Sequence, residues 1–280
     1  MNKNSIFITG AAAGIGLAAA RHFHKMGYVV AMADLNFALL EEVTEEWDKT
    51  RISLYPLDVS DFSQTQQVMS EFCKGNDNSL SVLLNNAGIL EVGAFEDINN
   101  NQHQRVISVN VMGVINLCQA AWPYLKNNSK NSGKDNNKST IVNMSSASSD
   151  YGVPELASYS ASKFAVKALT EALELEWQKY GIRVCDVMPP FVATNMLNSQ
   201  KKTVKVMQRL GTHLTAEDVV AVIDKQVRQP NTHRTVSVSY GLLHFLSTVS
   251  PAYINRLVMK FLSRKIFFLT ERIVKKGHAE

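Results

Sequence analysis

The stretch Ser5-Ile-Phe-Ile-Thr9-Gly10-Ala-Ala-Ala-Gly14-Ile15-Gly16 decides the fold. Its first five residues read as a short buried strand, the glycines as a turn, and the alanine-rich residues that follow as a helix. A strand that feeds a helix N-terminus through glycines is the physical arrangement for holding a pyrophosphate, because unpaired amides and the helix dipole meet the anion there. Gly10 permits the tight turn, Gly14 lets the backbone approach a phosphate, and Gly16 lets the helix pack closely on the strand.

Working outward, Tyr28-Val-Val-Ala-Met-Ala-Asp34 reads as a second buried strand that ends in a carboxylate. This is about where a dinucleotide fold places an acidic group on the adenosine ribose. The Asp34 carboxylate would accept from the 2′-hydroxyl of NAD, whereas the 2′-phosphate of NADP would meet like charge. Neither Ala13 nor Leu35 supplies a basic residue for that phosphate, so NAD(H) is expected over NADP(H). Further along, Tyr159 and Lys163 stand at i and i+4, on one helical face, with Ser146 thirteen residues before the tyrosine. A phenol ordinarily loses its proton near pH ~10. A lysine ammonium beside it is expected to lower that value and make Tyr159 an acid/base.

Thr9-Gly-x-x-x-Gly14-x-Gly16 together with Tyr159-x-x-x-Lys163 resembles the classical short-chain dehydrogenase/reductase (SDR) family, and Asn85-Asn86-Ala87-Gly88, Asn110, Ser145-Ser146 and Pro189 follow in that family's order. The resemblance runs over about residues 4 to 240. It implies a single α/β domain, a Rossmann-type doubly wound and mostly parallel sheet with helices on both faces, and reversible NAD(H)-dependent hydride transfer between a secondary alcohol and a ketone or aldehyde. It implies Asn110, Ser146, Tyr159 and Lys163 as the catalytic set, with Ser146 holding the substrate oxygen, Ser145 as its fallback, and Asn110 anchoring a water in a proton relay. It further implies cofactor contacts from Gly10, Gly14, Ile15, Gly16, Asp34, Asp58, Val59, Asn86, Ala87, Gly88, Tyr159, Lys163, Pro189, Val192 and Thr194. Pro190 stands where the family usually has glycine, which removes an amide donor and fixes φ. The family also implies a homodimer or homotetramer, formed through the helices that carry Asn110 and Tyr159.

Other readings fit less well. No Gly-x-Ser-x-Gly turn surrounds Ser146, which argues against a hydrolase nucleophile. A nucleotide-binding regulator or membrane-associated sensor on the same fold is the alternative, but it would need no proton donor. The net charge of +4 over 280 residues gives no support to nucleic-acid binding. The three cysteines are too dispersed for a zinc or redox motif, and His22 and His24 point to different helix faces, so no metal is expected. The odd cysteine count suggests a reducing compartment. Lys3 and the apolar residues to Ala20 mimic a secretory signal, but the glycine spacing explains them better. No uninterrupted apolar run is long enough to span a bilayer, and a cytoplasmic protein, peripheral to a membrane at most, is expected.

The remaining strands are placed at Ile52 to Val59, Leu80 to Leu84, Thr140 to Met144, Ile182 to Met188 and, last, Thr235 to Tyr240. The polar run Asn127 to Ser139 reads as a solvated loop, and Asn195 to Gly211 as a lid. With Ile89, Leu90, Val92 and Phe191, the apolar residues of that lid suggest an apolar substrate. Residues 1–240 are thus read as the dehydrogenase domain and 241–280 as a helical extension packed on it. Pro251 to Lys265 suits an amphipathic helix that caps the pocket or a subunit contact, with an anionic membrane surface as the other partner.

Overall fold

A computed structural model describes residues 4–131, 139–190, 192 and 214–263. Strand β1 (Ser5–Thr9) is buried along its whole length and lies between β2 (Val29–Asp34) and β4 (Val82–Asn85). With β3 (Ile52–Pro56), β5 (Ser139–Met144), β6 (Ile182–Met188) and β7 (His233–Thr235) they form one sheet in the order β3-β2-β1-β4-β5-β6-β7, every pair parallel. Parallel strands are covered on both faces, which is why they read as continuous apolar runs in the sequence.

The pleat sends alternate side chains to opposite layers. Phe7, Leu83, Ile141 and Val184 enter one core, with α3 (Phe62–Lys74), α5 (Gly113–Asn131) and α6 (Ala157–Trp177) packed over it. Ile6, Ile8, Leu84, Val142 and Cys185 enter the other, under α1 (Gly14–Lys25), α2 (Phe37–Val43) and α7 (Ala216–Arg228). The strand order reverses direction between β1 and β4, and a doubly wound sheet opens its binding crevice at that switch point, beyond the carboxyl ends of the strands.

Helix α4 (Asn100–Ile107) runs into α5 through a π-helical turn, Ser108–Met112, with Asn110 buried at its centre. The continuous run Asn100–Lys130 is long and apolar enough to cross a membrane, yet Val106 is buried and its apolar positions Val114, Leu117 and Leu125 are buried in the core against the sheet. On its C-terminal side α5 continues to Asn131, so the expected loop from Asn127 is in part helix.

The end of the sheet differs from the sequence expectation. The alternation of Val236, Val238 and Tyr240 reads as a strand, but the strand stops at Thr235. Ser237 accepts from the Tyr240 amide and caps a helix, α8 (Val238–Val249), whose apolar residues have helical rather than alternating spacing. Helix α9 (Ala252–Ser263) follows, tied to α8 where the Asn255 amide donates to the Ser247 carbonyl at 2.9 Å.

Candidate active site

The glycine turn is closed by contact rather than by choice. Gly10 and Gly14 have φ of +64° and +55°, a region costly for any residue with a Cβ. A Cβ on Gly16 would lie 2.1 Å from the Gly10 carbonyl oxygen, and one on Gly10 would lie 2.9 Å from the Ala87 Cα. The neighbouring strand is locked to the turn by polar contacts. Thr9 Oγ1 accepts from the amides of Asn86 (3.2 Å) and Ala87 (3.1 Å), while the Asn86 amide donates to the carbonyls of Thr9 (2.9 Å) and Gly10 (3.1 Å). The Thr9 hydroxyl and the Asn86 side-chain amide are thereby spent on the fold, and Asn86, Ala87 and Gly88 line the cleft.

The amides of a helix's first turn have no partner inside it. In α1 no side chain caps them, and Ala13, Gly14 and Ile15 line a cleft of about 270 Å³. Asp34 lines the same cleft from the end of β2, its carboxylate held by the amides of Ala12 (3.0 Å) and Asn36 (2.9 Å). Uncapped amides beside a space that only glycine leaves open, with a fixed carboxylate beyond them, fit the pyrophosphate and ribose of a dinucleotide.

Across the cleft stand Ser146, Tyr159 and Lys163. Ser146 follows β5 and caps the short turn Ala147–Ser149, and its hydroxyl acts on the Tyr159 phenol to favour the ionised form. Ser145 turns its hydroxyl to Ser149 instead, at 3.1 Å, which separates the two adjacent serines. Tyr159 and Lys163 lie one turn apart near the start of α6. Lys163 is buried and donates to the Met144 carbonyl at 2.7 Å, which leaves its ammonium 5.6 Å from the centre of the tyrosine ring.

Those positions invert the electrostatic expectation drawn from sequence. Burial raises the Tyr159 phenol above its ordinary value, and the Ser146 hydroxyl only partly opposes this. Burial also lowers the Lys163 ammonium to about 8, against the field of Asp186. Lys163 remains largely charged near neutral pH, but its ammonium is held by the Met144 carbonyl, and in the unliganded site burial outweighs any help it gives the phenol.

Asn110 sits beside this group, not in the cleft lining. It accepts from the Ile89 amide at 2.8 Å and donates to the Ile89 carbonyl at 2.9 Å and to Ser162 Oγ at 3.0 Å. Both amide hydrogens are used, so its remaining capacity is a lone pair on Oδ1. That oxygen and Lys163 Nζ flank Gly88, at 3.3 and 3.8 Å from where a Cβ would stand.

Pro189 and Pro190 line the cleft, and Val192 does so while bridging to Leu214. Asp58 and Val59 stay apart from it: Asp58 is exposed and holds Ser60, and Val59 is buried beneath Gly113. Thr194, Phe191 and the stretch Asn195 to Gly211 lie outside the described residues.

Three participants escape a reading of motifs. One is the Met144 carbonyl that holds Lys163. Another is Asp186, fully buried on β6, which acts on Lys163 and bonds His233 Nδ1 at 3.0 Å. Its only signal is a lone carboxylate in an apolar strand. The third carries no motif but lies in the helix expected to cap the pocket or a subunit contact: Met259 and Leu262 of α9 pack with Leu90, Val92, Val153, Leu156 and Tyr159 into a small apolar cluster at the tyrosine.

Comparison with known proteins places these features in context. A family model described as short chain dehydrogenase matches residues 4–205. The chain is similar to the meso-2,3-butanediol dehydrogenase of Serratia marcescens, 33% identical over 222 residues that make up 78% of this chain and 84% of that protein. It is also similar to a 3-ketodihydrosphingosine reductase of Bacteroides thetaiotaomicron, 32% identical over 189 residues, 68% of this chain and 64% of that one. Among solved structures, the 3-ketoacyl-(acyl-carrier-protein) reductase from Brucella melitensis, complexed with NADH, superposes with a TM-score of 0.73 at 25% identity, covering 83% of this chain and 94% of that chain.

Proposed function

The chain belongs to the short chain dehydrogenase family, oxidoreductases that act on CH–OH groups with NAD or NADP, and from that premise we propose that it interconverts an apolar secondary alcohol and its ketone or aldehyde with NAD(H), Tyr159 serving as acid and base. The observation that carries this reading is the group Ser146, Tyr159 and Lys163 facing the glycine cradle across one cleft.

When bound, the nicotinamide dinucleotide supplies the hydride acceptor or donor. The α1 amides at Gly14, Ile15 and Gly16, above Gly10, would hold its pyrophosphate, and Asp34 would accept from its adenosine ribose, which favours NAD(H). Asp58 and Val59, outside the cleft lining, would serve the adenine where it extends beyond the cleft, Asn86, Ala87 and Gly88 would meet the dinucleotide, Pro189, Val192 and Thr194 would serve the carboxamide, and Lys163 would serve the second ribose. Ser146 orients the substrate oxygen. Tyr159 takes the hydroxyl proton in oxidation and returns one in reduction, a role worth about 10² to 10⁴ in rate. Because burial raises the unliganded phenol, Tyr159 starts as the acid, the form needed for reduction. Asn110 braces the backbone at Ile89, and any relay water meets it at Oδ1. Leu90, Val153, Leu156, Met259 and Leu262 supply the apolar wall beside the phenol. We assign the homodimer contact to the helices carrying Asn110 and Tyr159, where Ile107, Met112, Phe164 and Leu175 are exposed.

The test is turnover of a panel of apolar ketones and secondary alcohols with NAD(H) and NADP(H), on wild type and Tyr159→Phe. The expected result is at least about 10²-fold loss of kcat in the variant with NADH affinity within about twofold. Retained turnover would sink the assignment of Tyr159, and a preference for NADP(H) the assignment of Asp34.

A further inference from the structure

Helices α8 and α9 turn apolar side chains outward. Val238, Leu242, Phe245 and Val249 fall at i, i+4, i+7 and i+11 on α8, Tyr253 and Leu257 continue on α9, and each is at least 60% exposed. Scattered exposed leucines are ordinary, whereas a helical stripe of them marks a surface that meets something apolar. The hairpin is not loosely attached. On its inner side Tyr240 and His244 both bond the Asp150 carboxylate, the latter at 2.7 Å, and Met259 and Leu262 enter the cluster that holds Tyr159.

Charge distinguishes the possible occupants. Neither α8 nor α9 contains an acidic residue. Residues 238–280 hold seven of the 29 Lys and Arg but only two of the 25 Asp and Glu, net +5, which leaves −1 for the rest of the chain. In the sequence the positive excess therefore falls in the C-terminal portion, where Arg256 and Lys260 lie on α9 and the other five cations lie outside the described residues. On the described hairpin the exposed cations are Arg256 and Lys260, and a twofold contact centred on them would set like charges together. An anionic bilayer satisfies both properties at once, burying the apolar stripe and pairing the cations with its headgroups.

We propose that the outward face of α8 and α9 seats this enzyme on the surface of an anionic bilayer, without crossing it. Arg256 and Lys260 lie on the seated hairpin and contribute to the attraction. The assignment is independent of which substrate is turned over or which residue moves the proton.

Flotation of the full chain with vesicles of phosphatidylcholine alone, or with about a third phosphatidylglycerol, tests it. Wild type should partition to the anionic vesicles at least roughly tenfold more than to the neutral ones. The triple variant Leu242→Ser, Phe245→Ser, Leu257→Ser should lose that binding with an unchanged melting temperature, since all three positions are exposed. The variant Arg256→Glu, Lys260→Glu should weaken it at least roughly tenfold. Sedimentation without lipid should give both variants the wild-type mass. No flotation of wild type, full flotation of the triple variant, or a fall in mass in the triple variant, which would make the stripe a contact between copies, would each overturn the proposal.

Discussion

At the crevice between β1 and β4 the chain touches itself so closely that a single methyl has no room, 2.1 Å from a carbonyl at Gly16. At the α8–α9 hairpin no side chain is fully buried, and attachment draws on side chains, among them the Asp150 carboxylate and the apolar Met259 and Leu262. The first region forms the cleft, and the second packs Met259 and Leu262 against Leu90, Leu156 and Tyr159, which line it. The first is set by backbone geometry and tolerates almost nothing; the second is set by side-chain chemistry and can be tuned without loss of the fold. The difference separates what is needed to bind a dinucleotide from what is free to shape the other end of the site.

Gly16→Ala should give the largest effect in the rigid half. The carbonyl it strikes belongs to the turn, so the cradle must open, at a cost of about 1–3 kcal/mol in stability. NADH affinity should fall at least roughly 100-fold, read by fluorescence titration alongside urea unfolding. Wild-type affinity in this variant would break the contrast. Asp34→Arg comes next. It leaves the turn intact and replaces a carboxylate with a group that suits a phosphate, so the ratio of kcat/KM for NAD(H) over NADP(H) should reverse by roughly 100-fold.

In the hairpin the effects should be smaller and of another kind. Asp150 accepts from Tyr240, His244 and Lys167, the last at 3.1 Å. Asp150→Asn should cost about 1–2 kcal/mol of local attachment, speed proteolysis within α8 and α9, and raise KM for an apolar substrate several-fold, with NADH affinity unchanged. A parallel loss of NADH affinity would show that the two regions are not separable.

The smallest expected effect is one of pH, at the edge strand that joins the halves. Burial opposes the charged His233 imidazolium but is outweighed by the bonds and charge of Asp186 and by the Glu171 bond, so the imidazole is raised above its ordinary value. Stability from this group is fully present below pH ~6.5 and is lost as pH rises through the raised folded value. Melting curves of wild type from pH 6 to 9 should therefore fall more than those of His233→Gln. Parallel curves would remove the ion pair from the account.

The glycine cradle was legible in sequence because its physics is local: three glycines within seven residues, after a strand, leave few alternatives. The helical face shared by Tyr159 and Lys163 was legible for the same reason. The bridge from Thr9 to Asn86 and Ala87 spans more than seventy residues, and nothing at Thr9 advertises it. Lys163 was expected to serve the phenol, and only the fold reveals the Met144 carbonyl that claims it. Residues 236–240 misled because valines at alternate positions fit a strand, while one serine cap was enough to begin a helix.

The π-helical turn at Ser108–Met112 has a consequence for how the two halves could be shaped separately. A turn that holds one residue more than an α turn advances the phase of everything after it by about 100°. Helix α4 and helix α5 are thus one rod with two settings: α5 keeps Val114, Leu117 and Leu125 in register with the sheet, while the rod before the turn can rotate to suit the site. Removing one residue from this turn would restore an unbroken α-helix and force a single phase on both, so that either Asn110 leaves Ile89 or the stripe of α5 leaves the core. The widened turn is a mechanical joint, and it lies where the site meets the scaffold.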